Sequence, residues 1–328
     1  MTNPARPVCL VTGATGAVGP GVVKALSDAF EIRTLTRRPP PPGLFGVPVS
    51  AFTGDVADAA AVRRGARNAN VIVHLAALLH VVSPPPSLRA EYERVNVGGT
   101  RAVIEAAQVE GVSRVVFLST IAVYGHGSHL VLDEGSPTRP DTFYAETKLA
   151  AECVALAARA ADGGPLATVL RSAAVYGPRV KGNYQRLLHA LARHRFVPIG
   201  PGDNVRTLVF QDDLAAAAAL AARHSGAAGR IYNVSDGQLH PLRDVIYAIC
   251  AALGRRPPRR HVPIAPVRAM LRAASVFDRR LPAMLDTYLE EVRVDASRIQ
   301  TELRFRPQAD LIAGWTATVA ELRRTGAL

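Results

Sequence analysis

The segment Val8-Cys-Leu-Val-Thr-Gly13-Ala-Thr-Gly16-Ala-Val-Gly19 decides the fold. Val8 to Val11 form an apolar run without polar alternation, the pattern of a strand covered on both faces. Glycine then recurs at every third position, at 13, 16 and 19. Such spacing lets the backbone turn sharply, approach a ligand closely, and lay the next helix against the sheet. A helix is expected over 19–28, with Pro20 tolerated in its first turn. Its N-terminus offers unpaired N–H groups and a positive dipole end, which suit a pyrophosphate. Thr15, Ala17 and Val18 complete the turn. The spacing differs from Gly-x-Gly-x-x-Gly, and an ordinary strand-to-helix turn is the alternative. Its place in a strand–turn–helix at the start of the chain favours a dinucleotide site.

Outward from this turn, strands and helices alternate. Apolar runs predict strands over 32–36, 49–52, 71–75, 115–119, 167–170 and 231–234. Helical patterns cover 57–67, 92–110, 144–161, 184–194, 214–224, 242–253 and 309–324. The order implies an α/β fold: a Rossmann-type, doubly wound parallel sheet with a smaller C-terminal α/β substrate domain. The dinucleotide domain is assigned to 1–175 plus about 205–235, and the substrate domain to about 176–204 and 236–328.

The chain has 328 residues, 48% hydrophobic and 20% charged, which excludes global disorder. No run of 18 apolar residues predicts a membrane span. Residues 1–7 lack the pattern of a signal peptide, so a cytoplasmic protein is expected. Cys9, Cys153 and Cys250 lack metal-ligand spacing; buried, reduced thiols are expected, and no metal. The net charge is +12. Without a dense basic run, helix-turn-helix or zinc pattern, nucleic acid is not an expected partner. Half of the excess lies within 255–306, where twelve Arg face six acids, a field that would draw a phosphate-bearing small molecule. Only Lys24, Lys148 and Lys181 are lysines among 39 basic residues, so each is a place where Arg could fail.

The end of the second strand selects between the two nicotinamide dinucleotides. An acid there binds a ribose hydroxyl, whereas Arg37-Arg38 would meet a 2′-phosphate. Glu31 lies at the wrong end of that strand. NADP(H) is therefore expected over NAD(H), with a solvated loop as the alternative. Asp55, followed by Val56, is placed to accept from the adenine amino group or to cap the helix expected at 57. Tyr144-Ala-Glu-Thr-Lys148 puts a phenol and an ammonium on one helix face. A phenol becomes a base near neutral pH only if its anion is stabilised, and a nearby ammonium does that. A plain helix-surface pair is the alternative.

Taken together, the segments resemble the extended short-chain dehydrogenase/reductases, also called the NAD-dependent epimerase/dehydratase family. The resemblance rests on 12–19, His74-Leu-Ala-Ala77, Asn96-Val-Gly-Gly-Thr100, Leu118-Ser-Thr-Ile-Ala-Val-Tyr-Gly125, 144–148 and 171–179. It continues through Arg206 to Asp212-Asp213-Leu214, Tyr232-Asn-Val234 and Val294-Asp-Ala-Ser297. It implies that Thr120 orients the reacting oxygen, that Tyr144 is the acid/base and that Lys148 modulates it. Leu75, Ala76 and Ala77 would line the cofactor channel, with Asn96 nearby unless it merely starts a helix. Lys181 and Asn183 would open the substrate domain. Arg206 would clamp a diphosphate, a surface ion pair being the alternative.

Some residues depart from that pattern. Arg37 replaces the usual acid. No Glu-Asp pair follows Thr120, which disfavours a dehydratase. Asp133-Glu134 reads as a structural loop. His80 reads as structural more readily than as a substrate contact. The expected activity is therefore NADPH-dependent 4-keto reduction of a nucleotide sugar. The alternatives are a UDP-sugar 4-epimerase with no net redox change and a hydroxysteroid-type alcohol dehydrogenase. The last would use the apolar 263–277 stretch as a pocket wall or membrane-facing helix. A non-catalytic nucleotide sensor is disfavoured by the intact Thr120, Tyr144 and Lys148. A homodimer through 92–110 and 144–161 is expected from the family habit.

Overall fold

The computed structural model describes residues 6–79, 81, 84–125, 130–274, 285–286 and 288–328. His80 lies outside them. The first strand, β1 (Val8–Thr12), lies at the centre of a parallel sheet. It pairs with β2 (Glu31–Thr36) on one side and β4 (Val71–His74) on the other. Beyond β2 lies β3 (Ser50–Thr53); beyond β4 lie β5 (Arg114–Thr120), β6 (Ala167–Ser172) and β9 (Ile231–Val234). The order is β3-β2-β1-β4-β5-β6-β9. The strand order therefore reverses between β1 and β4, all strands staying parallel, and there such folds leave a crevice at the carboxyl ends of the strands.

Helices cover both faces, as the unalternating strands require. On one face lie α1 (Gly19–Leu26) and α7 (Gln211–Arg223), the latter burying Ala215, Ala218 and Ala222. On the other lie α2 (Ala59–Ala66), α4 (Gly99–Val109) and α5 (Phe143–Ala157). A third core forms around α6 (Asn183–Ala192), α8 (Leu242–Leu253) and the final helix, α10 (Leu311–Arg324), with Trp315 wholly enclosed.

Several expectations change. The helix expected over 92–110 is three pieces: α3 (Arg89–Tyr92), a π-helical stretch at Glu93–Gly98, and α4. Asn96 thus sits inside a π-turn and does not start a helix. Asp58, not Asp55, caps α2, accepting from the Ala60 and Ala61 amides. Helix α5 ends at Ala157 because the chain turns there into an Arg159–Pro165 bridge. Cys9 and Cys250 are buried, but Cys153 faces solvent on α5. A second sheet, β10-β8-β7, was not expected; it consists of β7 (Ala174–Tyr176), β8 (Val205–Phe210) and β10 (Leu239–Pro241). Two of its strands have three residues, too short for a periodic signal. Among the described residues no helix is long and apolar enough to cross a membrane, and no cluster of His, Cys, Asp and Glu could hold a metal.

Gly13 holds a left-handed φ of 70°, and a Cβ there would meet the Ala76 amide nitrogen at 2.6 Å. Both strain and collision follow from a side chain at this position. Gly13→Ala is expected to lower unfolding free energy by about 3 kcal/mol or more in urea titration, whereas the exposed, unobstructed Gly182→Ala changes it little.

Candidate active site

The glycine turn bends between β1 and α1. The Gly13 amide donates to the Leu35 carbonyl at 3.1 Å, and the Gly16 amide to Gly13 at 2.9 Å. A Cβ on Gly19 would lie 2.1 Å from the Ala14 carbonyl oxygen, so α1 approaches the turn as closely as backbone allows. Thr15 and Gly16 are exposed, while Gly13, Ala17 and Val18 are half-buried. No side chain caps α1 and no acid lies in its own first turn, so its N–H groups and positive dipole end are presented at the glycine turn. This cradle fits a dinucleotide pyrophosphate.

Leu75, Ala76 and Ala77 follow β4 and are half-buried beside the turn. The Ala76 amide points at Thr12 Oγ1 at 3.5 Å. Thr12 Oγ1 is also 2.7 Å from His74 Nδ1, and His74 Nε2 is 3.1 Å from Thr100 Oγ1. Burial pushes this imidazole down to about 3, so it is neutral. Thr100 donates to the Asn96 carbonyl at 2.7 Å. The Asn96 amide accepts from the Leu78 amide and donates to the Leu78 carbonyl and to Thr147 Oγ1. Its side chain therefore holds the loop after β4 against α5. Thr147 Oγ1 in turn donates to the Tyr144 carbonyl at 3.0 Å.

At the far end of the crevice, Arg37 and Arg38 are exposed beyond β2. Asp55 accepts from the Ala57 amide and pairs with Arg94 at 3.2 Å; hydrogen bonds and the Arg94 and Arg37 charges outweigh its desolvation and hold its carboxyl below the usual range. Val56 is buried and fills the space above Gly99.

The candidate catalytic residues meet where β5 ends and α5 begins. Thr142 caps α5 by accepting from the Ala145 amide. Tyr144, two residues on, lies beside Thr120, whose hydroxyl favours the phenol's anion. Burial pushes the Tyr144 phenol up to about 12, against the pull of Thr120. The expected depression by the ammonium is not what the structure shows. Lys148 Nζ instead donates to the Leu118 carbonyl at 2.6 Å and lies 4.0 Å from the centre of the Phe117 ring. Burial brings this ammonium down to about 7, with Glu152 opposing the shift.

Beneath this lies a pair not anticipated from the sequence. Arg171 Nη2 donates to Glu152 Oε2 at 2.7 Å, and Arg171 Nε reaches the other carboxylate oxygen at 3.1 Å. Ser119 also donates to Glu152. Arg171 Nη1 donates to the Tyr124 hydroxyl, which donates to Asn233. Glu152 stands one turn beyond Lys148, a signal that was available. Glu134 accepts from the Asn233 amide at 2.7 Å, and Asp133 closes its own turn, so this acidic pair supports a loop.

On the substrate side, Lys181 and Asn183 are exposed at the start of α6. Arg206 lies nearly buried on β8. Its Nη2 donates to the Tyr288 carbonyl at 2.7 Å, and Glu290 stands 3.9 Å from its Nη1. Tyr184, next to Asn183, also feels the Arg206 charge. The neighbouring carboxylate was missed, since only the fold brings residue 290 to residue 206.

Residues 9–235 match the NAD dependent epimerase/dehydratase family, and the chain belongs to it. It is accordingly an enzyme of the extended short-chain dehydrogenase/reductase class, built for a nicotinamide dinucleotide. The dTDP-glucose 4,6-dehydratase of Streptomyces griseus is 32% identical over 328 residues, covering 95% of this chain and 92% of that relative. The N-acetyl-alpha-D-glucosaminyl-diphospho-ditrans,octacis-undecaprenol 4-epimerase of Escherichia coli O157:H7 is 28% identical over 255 residues, 77% of this chain and 75% of the relative. A solved structure, MoeE5 in complex with UDP-glucuronic acid and NAD, is 28% identical with a TM-score of 0.77, covering 97% of this chain and 99% of that one.

The buried Lys148 makes a thermodynamic prediction. Its folded value of about 7 lies below the ordinary lysine value of 10.5, so between those pH values the unfolded chain holds more protons. Wild-type stability should therefore rise with pH across this window, by up to about 1.4 kcal/mol per unit. Below pH 7 the two states hold the same proton and the gain vanishes. Lys148→Met should lack this slope, measured as urea midpoints from pH 6 to 10.

Proposed function

We propose that this enzyme moves hydride between a nicotinamide dinucleotide and C4 of a sugar whose anomeric oxygen bears a diphosphate, and that its net reaction is 4-epimerisation. The juxtaposition of Thr120 and Tyr144, where β5 ends and α5 begins, carries this reading. Thr120 orients the sugar hydroxyl, and Tyr144 takes and returns its proton. The dinucleotide, when bound, supplies the hydride acceptor and donor. Tyr144 is protonated in the free protein, so its basic form requires positive charge in the crevice; Lys148, one turn on, is placed to provide part of it. Arg206 offers its guanidinium to the diphosphate.

Dehydration is disfavoured despite the Streptomyces relative. The two residues after Thr120 are Ile121 and Ala122, which can neither donate nor accept the proton of an elimination. The relative named as a 4-epimerase supports the redox-neutral outcome. Reduction of a 4-keto sugar with NADPH is a second reading. It is favoured by Arg37 and Arg38, which suit a 2′-phosphate, and by the absence of an acid at the end of β2.

Purified protein is incubated with UDP-N-acetylglucosamine, or with a polyprenyl-diphosphate N-acetylglucosamine, without added cofactor. The 4-epimer is expected by chromatography. Product only from a 4-keto sugar with NADPH, with stoichiometric loss of absorbance, would replace epimerisation by reduction. Tyr144→Phe should lower turnover by about 100-fold or more while dinucleotide binding persists. Under the reductase reading, Arg37→Ala with Arg38→Ala weakens NADPH about tenfold or more and leaves NADH unchanged.

A further inference from the structure

Arg206 meets a carboxylate of its own chain before any ligand arrives. Between α9 (Ile264–Ala274) and the final helix, the chain returns along β8 over 288–294. Asn204 Nδ2 donates to the Tyr288 carbonyl at 3.0 Å and to the Glu290 carbonyl at 3.2 Å. The Val292 amide donates to the Val205 carbonyl at 3.1 Å, and Thr207 Oγ1 donates to the Val292 carbonyl at 2.8 Å. The backbone is thus fastened to β8 on both sides of the Glu290 side chain.

The side chains are held less evenly. Arg206 is nearly buried, and its Nη2 is fixed on the Tyr288 carbonyl at 2.7 Å. Glu290 Oε2 stands 3.9 Å from Nη1, and its side chain is 20% exposed. That separation is about 1 Å longer than a charge-assisted hydrogen bond, so the carboxylate neutralises the guanidinium without gripping that nitrogen. Glu291 differs, pairing with Arg293 at 2.8 Å. Asp236 is engaged by His240, which lies opposite Arg206 on β10, at 2.6 Å. Burial pushes the Tyr184 phenol up, with Arg206 opposing and Glu290 adding to the shift, so the start of α6 faces both charges. A nearly buried cation without a counter-charge is costly, and Glu290 supplies one.

We propose that Glu290 sets the affinity of the Arg206 subsite: its carboxylate is an internal counter-ion that a substrate diphosphate displaces in order to bind. This rests on the reading above, in which Arg206 receives the diphosphate. A diphosphate offers two adjacent anionic groups to the guanidinium fork, whereas Glu290 offers one carboxylate at a distance. With its backbone fastened, the carboxylate leaves by rotation of its side-chain bonds alone. Arg206 stays in place on the Tyr288 carbonyl, already aimed. Affinity in the native chain is lowered by the fraction of molecules in which Glu290 stands on Arg206.

The test is isothermal titration of the full chain with UDP, excess NAD being present to fill the glycine turn. Glu290→Gln keeps the size of the side chain and removes its charge; it should bind UDP about tenfold tighter than the native chain. Arg206→Gln should weaken UDP by about tenfold or more. In the Arg206→Gln background, Glu290→Gln should bring a much smaller gain. Glu105→Gln, which removes a charge from the exposed side of α4, should leave the affinity unchanged. The rise in melting temperature on adding UDP should be larger in Glu290→Gln than in the native chain. That comparison is made within each variant, so stability lost by unpairing Arg206 does not enter it. Unchanged or weaker UDP binding in Glu290→Gln, while Arg206→Gln loses it, would overturn the competition and leave the diphosphate reading standing. An equal gain with and without Arg206 would mark a general charge effect and overturn it too. UDP binding that is absent, or indifferent to Arg206→Gln, would overturn both.

Discussion

A carboxylate and a guanidinium, Glu152 and Arg171, lie buried side by side under Thr120, Tyr144 and Lys148, and their bidentate contact fixes the geometry above them. Removing either partner alone would strand a charge in the interior, a loss of about 3–5 kcal/mol. The pair spans α5 and β6, and Ser119 joins it from β5. Three elements are thereby locked where Thr120 leaves the sheet and Tyr144 enters its helix. The same carboxylate partly sustains the Lys148 charge against desolvation. One ion pair thus bears on both the position of Tyr144 and the charge of Lys148.

A second network registers the cofactor side to the catalytic side. It runs from Thr12 through His74 and Thr100 to Asn96, then through Thr147 to the Tyr144 carbonyl. Every step is a directional hydrogen bond, and the imidazole in it is neutral. Apolar packing alone tolerates sliding by fractions of an ångström; a hydrogen-bonded chain of buried groups does not, because each lost partner leaves an unsatisfied polar atom. The glycine turn and the Tyr144 helix, distant in sequence, are held at one spacing by this chain.

The parallel sheet was legible in the sequence because its strands are apolar on both faces and its glycine turn is local. Thr120, Tyr144 and Lys148 were legible as candidates because Thr120 precedes a Val-Tyr-Gly segment and Tyr144 and Lys148 share a helix face. The second sheet was hidden by strands of three residues. The phenol's upward displacement was hidden too, since spacing predicts a neighbouring ammonium but not how deeply the phenol is buried. Glu290 beside Arg206 depends on chain closure across 84 residues, which no local pattern reports.

The scarcity of lysine separates one position from the other two. Lys24 and Lys181 are exposed, where an arginine would serve as well. Lys148 is buried over the Phe117 ring with one carbonyl partner. A guanidinium there would bring five donors to a site that supplies one acceptor, and it would stay charged at every relevant pH. An ammonium brings a compact charge whose proton affinity burial lowers to about 7. A chain that otherwise prefers arginine keeps a lysine where the space beside the Phe117 ring admits a compact ammonium and one carbonyl meets it.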